Sequence, residues 1–82
     1  AGRFHVQIGA FPSAVEAERQ LAAVRARGPA ALAHAKPLTQ PVQQGEKTLY
    51  RARYAGLDPA AAAQACEDLK KQGVACMVFR GE

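Results

Sequence analysis

The chain has 82 residues, enough for one hydrophobic core and no second domain, and although 49 % of them are hydrophobic, many of these are alanines. Lys and Arg outnumber Asp and Glu by 11 to 7, a formal charge of +4 that favours an anionic partner. No stretch nears the roughly 20 apolar residues of a membrane span, and neither Cys66 and Cys76 nor His5 and His34 have metal-ligand spacing, so no metal site is expected.

The sequence has no Gly-rich phosphate loop, nucleophile elbow or zincin motif, and its acidic residues form no catalytic pair. An enzyme is not expected, nor is a cofactor. Ala1-Gly2-Arg3-Phe4 has no signal-peptide pattern, and residues 1–82 read as a single domain cut from a longer protein, with any export signal or anchor expected outside them.

Residues 3–8 alternate between apolar Phe4, Val6 and Ile8 and polar Arg3, His5 and Gln7, which predicts a half-buried strand. Gly9-Ala10-Phe11-Pro12 breaks the alternation. Ser13 then stands as a helix N-cap, with Glu16 placed to complete a capping box. A helix is predicted over 14–27, with Val15, Ala17, Leu21 and Val24 inward and a stop at Gly28-Pro29 that calls for a left-handed glycine.

Residues 30–37 read as an alanine-rich connection able to hold one further helical turn. Residues 38–43 predict a short strand, which Pro41 confines to a sheet edge because proline has no ladder donor. Gln44-Gly45-Glu46-Lys47 reads as a hairpin turn into a strand over 48–55. There Tyr50, Ala52 and Tyr54 share the core side, and Leu49, Arg51 and Arg53 share the other.

Asp58-Pro59 predicts a helix start, with the helix over 60–72, Ala63, Cys66, Leu69 and Ala62 inward, and Gly73 closing it. The last predicted strand is 74–80, whose inner face parity does not choose. Cys66 and Cys76 each lie about 10 Å from Gly73, one along the helix and one along the strand, so a disulfide is within reach. A helix packed on a sheet normally sits too far off for the roughly 4.4–6.8 Å that a bridge spans between Cα atoms, so two buried thiols remain the alternative.

The element order is β-α-β-β-α-β. This predicts an α+β, ferredoxin-like (RNP-like) fold: a four-stranded antiparallel sheet in order 2-3-1-4 with two helices on one face. The other sheet face is then open. Its central strands present His5, Gln7, Arg51 and Arg53, and Met77 joins them if Cys76 faces the core.

Val6-Gln7-Ile8-Gly9-Ala10-Phe11 resembles the Val-Gln-x-Gly-x-Phe opening of SPOR domains, and Leu49-Tyr50-Arg51-Ala52-Arg53 resembles their Arg-containing third strand. The resemblance runs from Phe4 to about Phe79. Departures are Tyr54-Ala55-Gly56-Leu57 in place of a common Val-Gly-Pro-Phe, and Leu49 at a position that is aromatic in some members. The resemblance implies a non-catalytic, periplasmic module that binds peptidoglycan glycan strands stripped of their stem peptides and targets a parent protein to the division septum. Such parents include cell-division proteins, lytic transglycosylases and D-alanyl-D-alanine carboxypeptidases.

On this reading the glycan-binding residues are His5, Gln7, Leu49, Arg51, Arg53 and Met77. Gln7 can both donate and accept, and the arginines can meet the lactyl carboxylates left on N-acetylmuramic acid when the peptide is removed. A monomer is expected, with no nucleic-acid or membrane contact by this domain. Two alternatives share the topology: an RNA-recognition motif, which needs stacking aromatics on its central strands, and a ferredoxin-like protein-interaction module.

Overall fold

The computed structural model describes residues 2–81. The strands are β1 (Phe4–Phe11), β2 (Lys36–Gln44), β3 (Lys47–Leu57) and β4 (Met77–Arg80); the helices are α1 (Ala14–Arg27) and α2 (Pro59–Lys71). They follow the predicted order and form one antiparallel sheet, β2-β3-β1-β4. α1 packs on β1, β2 and β3, and α2 on β1, β3 and β4, so both helices cover the same face. This is the α+β, ferredoxin-like arrangement.

The β2–β3 hairpin turns through Gly45 and Glu46, which sets Gln44 opposite Lys47 and fixes every later pair. Pro37 and Pro41 fall opposite Tyr54 and Tyr50. Counted from the turn, these are the pairs at which the β2 backbone nitrogen points away from β3, so neither proline removes a ladder bond. Both instead blunt the free edge of the sheet.

β1 does not keep a strict period of two. Val6 and Gln7 oppose Tyr54 and Arg53, but Gly9 opposes Ala52, so Ile8 is an extra residue in a β-bulge. The bulge lets Val6, Ile8 and Phe11 all serve the core while Gln7 stays on the open face. Gly9 takes φ 157°, and a Cβ there would stand 3.0 Å from the Phe11 ring. The Gly-x-Phe pair in the opening motif thus works as one unit, an aromatic ring folded over a residue without a side chain.

The core lies between the sheet and the helices. Ala17, Leu21 and Val24 are the buried positions of α1, a stripe at i, i+4 and i+7. Val15 sits off that stripe and is 57 % exposed, contrary to the inward position expected for it. In α2 the buried positions are Ala62, Ala65, Cys66 and Leu69, so Ala63, expected inward, faces solvent.

Capping follows the sequence with two differences. The Ser13 hydroxyl accepts from the Glu16 amide at 3.1 Å, but the Glu16 carboxylate accepts from Gln20 at 3.0 Å, so no reciprocal box is closed. Gly28 is extended at φ −84° and not left-handed; glycine fits because a Cβ would come within 2.5 Å of the Val24 carbonyl oxygen. α2 starts as expected, with Asp58 accepting from the Ala61 amide at 2.8 Å. It ends in a Schellman motif, Val74 N–H to the Leu69 carbonyl and Gly73 N–H to the Lys70 carbonyl.

Between α1 and β2, residues 30–32 form a single 3₁₀ turn that buries Leu32. Arg25 holds it from the helix, donating to the carbonyls of Leu32, Ala33 and Ala35. Beside it the Tyr54 hydroxyl, on a wholly buried ring, donates to the Leu21 carbonyl. Burial pushes the Tyr54 phenol above its ordinary value, against a smaller opposing effect of Arg25.

A folded value above the unfolded one means that the unfolded chain gives up this proton first, so stability falls as the pH climbs past about 10. Tyr54→Phe removes this second bond to the Leu21 carbonyl, which keeps its helical partner in α1, at a cost of roughly 0.5–1.5 kcal/mol near neutral pH. Melting curves taken from pH 7 to pH 11 will show the variant less stable at pH 7 and flatter at the alkaline end. Equal curves for both proteins would mean that this hydrogen bond carries no stability.

The last strand is shorter than predicted. Residues 74–76 lie outside the sheet, and β4 begins at Met77. That difference settles the cysteines: because Cys76 is still on the link from α2 and has not yet joined the sheet, its Cα comes to 5.4 Å from that of Cys66, and the two form a disulfide. The distance objection assumed a Cys76 already in the ladder.

Candidate functional site on the open sheet face

Residues opposite one another in antiparallel strands share a face, so the register places the predicted side chains directly. Leu38, Arg53, Gln7 and Met77 form one row across all four strands, with Gln7 opposite both Arg53 and Met77. A second row runs through Gln40, Arg51 and Ala10, and a third through Val42 and Leu49. His5 opposes Phe79 on the other side of the first row. All six predicted residues therefore lie on the face away from the helices.

They are not equivalent. Met77 is 58 % exposed, and Leu49 and Arg51 are half-buried. Arg53 is only 9 % exposed. Its Nε donates to Gln7 Oε1 at 2.8 Å, its Nη1 donates to Gln40 Oε1 at 3.0 Å, and its guanidinium carbon lies 4.7 Å from the centroid of the Phe79 ring. The plane of the arginine is fixed by two glutamines and an aromatic ring.

Burial, and after it the charge of Arg51, hold the Arg53 guanidinium below its ordinary value. Two like charges share this patch. Among the described residues the carboxylates lie elsewhere: Glu16 and Glu18 in α1, Glu67 and Asp68 in α2, Glu46 in the hairpin turn and Asp58 at the α2 cap. Among the described residues the polar groups of the open face are donors and cations, with no anion beside them.

His5 is hemmed in. Its Nδ1 is buried with no hydrogen-bond partner among the described residues, and Gly81, tied to the Arg3 carbonyl at 2.6 Å, backs so closely onto the ring that any side chain there would overlap it.

Gln40 and Leu38 belong to this face and were missed. The signal was available in the two-residue turn, because counting back from Gln44 opposite Lys47 puts Gln40 opposite Arg51 and Leu38 opposite Arg53. A separate concavity lies between α1 and β2, lined by Glu18, Leu21, Arg25 and Thr39 among others. The Arg25 guanidinium there is already occupied by backbone carbonyls.

A two-layer scaffold with helices on one side and an uncovered, donor-rich sheet on the other defines a sheet-face binding module. The chain belongs to the SPOR domain family, whose model matches residues 1–80; SPOR domains are peptidoglycan-binding modules. The fold is also that of the RlpA SPOR domain from Pseudomonas aeruginosa in its crystal structure, with a TM-score of 0.74 and 16 % sequence identity over 94 % of this chain and 97 % of that one. No curated protein sequence matches the chain significantly.

Proposed function

We propose that the domain binds peptidoglycan glycan strands that have lost their stem peptides, through Gln7, Leu49, Arg51, Arg53 and Met77 with His5 at the margin, and that it thereby holds a parent protein at the septum or at other sites of wall remodelling. The observation that carries this reading is the pairing of Arg51 and Arg53 on a face with no carboxylate among the described residues. An anion placed there would relieve the repulsion between them. Removal of a stem peptide turns an amide into a lactyl carboxylate on N-acetylmuramic acid, and supplies that anion at a regular interval along the strand. An intact peptide removes the charge and adds bulk.

Met77 at one end of the face and Leu49 with Val42 at the other offer apolar surface for the C–H faces of sugar rings. The central strands carry His5, Gln7, Leu49, Arg51 and Arg53 outward, and the one aromatic in this patch, Phe79, already lies against Arg53. Unpaired bases would find no free ring to stack on, which disfavours RNA. The Cys66–Cys76 disulfide fits an oxidising compartment, as a periplasmic location requires.

The direct test is co-sedimentation of the purified domain with sacculi before and after amidase treatment. Retention is expected to be at least tenfold greater on the treated sacculi. Equal retention on both would remove the preference for denuded strands.

A further inference from the structure

We propose that Arg53 is a positioning residue that locks Gln7 and Gln40 by their amide oxygens, so that both amide N–H₂ groups stand outward as oriented donors, and that Gln40 on the edge strand is thereby a further glycan-binding residue. The inference rests on the glycan reading above and refines it. Arginine can only donate, so an amide that meets it must present its oxygen. Both contacts exist, Gln7 at 2.8 Å and Gln40 at 3.0 Å, and they come from strands on opposite sides of β3. The oxygen of each amide is thus spent within the protein, and the nitrogen, with two protons, is what a ligand meets.

This assigns different roles to two neighbouring arginines. Arg53 is 9 % exposed, stacked on Phe79 and bonded on two edges, so little of it remains for a ligand. Arg51 has no hydrogen bond or ion pair to another side chain among the described residues and lies opposite Gln40 in the register. The ligand then faces three donors, the Arg51 guanidinium and the two amides. Such a set takes acceptor oxygens only: the lactyl carboxylate at Arg51, and carbonyl oxygens of N-acetyl groups at the amides. Because Gln40 lies on β2, the binding track extends across the sheet to its proline-blunted edge and is not confined to the two central strands.

Gln40→Glu separates the donor from the strut. A carboxylate still accepts from Arg53, so the arginine stays clamped, but the outward donor becomes an acceptor of like charge to the ligand. The probe is a soluble, peptide-free tetrasaccharide of alternating N-acetylglucosamine and N-acetylmuramic acid. With the ¹⁵N-labelled wild-type domain, the side-chain amide signals of both Gln7 and Gln40 are expected to shift on titration. Gln40→Glu is expected to bind at least tenfold more weakly while melting at the same temperature or higher.

Arg53→Lys, which cannot span two amides with one planar fork, is expected to bring both side-chain amide signals toward those of free glutamine before any glycan is added. Wild-type binding with a silent Gln40 amide, or Gln40→Glu binding within twofold of wild type, would overturn the inference and leave the glycan reading standing. No response of wild-type backbone or side-chain signals to the tetrasaccharide would instead overturn the glycan reading, and this inference with it.

Discussion

Opening the Cys66–Cys76 bridge lowers the unfolding free energy by roughly 3 kcal/mol, the chain-entropy value for a loop of this length. For a domain of this size that corresponds to a fall in melting temperature of roughly 10–20 °C. The bridge also acts on the site. β4 has four residues and is an edge strand paired only with β1, and the disulfide pins the link just before it to α2. Without the pin, β4 should fray ahead of the rest of the sheet, and Phe79 and Met77 move with it. Arg53 would then lose the ring it rests on. Reduced and alkylated protein, or Cys66→Ala/Cys76→Ala, is therefore expected to bind glycan more weakly even at temperatures where circular dichroism shows it folded. A melting temperature within about 2 °C of the oxidised protein would mean that packing alone holds this segment, and that the bridge stabilises little.

The outward register of the site was legible because period-two alternation and turn chemistry are local. Arg51 and Arg53 share a side with Leu49 by simple parity, and a two-residue turn carries that parity to β2. Gln7 was legible for the same reason, since the bulge falls after it, at Ile8. The turning of Phe11 into the core needed a bulge, and a bulge depends on the partner strand. The bridge between Cys66 and Cys76 depended on where β4 begins, a boundary set by pairing with β1 and not by residue type.

The depth of Arg53 was least legible. Three side chains from three other strands surround it, Gln7 from β1, Gln40 from β2 and Phe79 from β4. Nothing in the local pattern distinguishes it from Arg51 two residues earlier, yet one arginine is held within a network and the other is left to a ligand. Val15 and Ala63 erred for a milder reason: alanine-rich helices mark their buried stripe weakly, so a lone valine or one alanine among several fits more than one face.

Replacement of Arg51 should separate binding from stability more cleanly than any other single change. With Ala at this position the ligand carboxylate loses a charge-assisted hydrogen bond, roughly 1.5–3 kcal/mol, or about 10- to 150-fold in affinity. With Glu the loss should be larger still, because a carboxylate would then oppose the lactyl group. Stability should move the other way. Arg51 is half-buried, and its charge adds to the burial that already disfavours a charged Arg53, so removal relieves repulsion at no cost in core packing. Arg51→Ala is therefore expected to melt at or above the wild-type temperature while its retention on amidase-treated sacculi collapses. Added salt should weaken wild-type binding steeply and that of Arg51→Ala much less, because the charge being screened is gone. Unchanged binding by Arg51→Glu would show that no anion is read at this position, and a melting temperature several degrees below wild type would show that the residue is structural. A domain that the charge of Arg51 destabilises slightly in isolation is expected to gain that energy back when an anionic strand lies across the sheet.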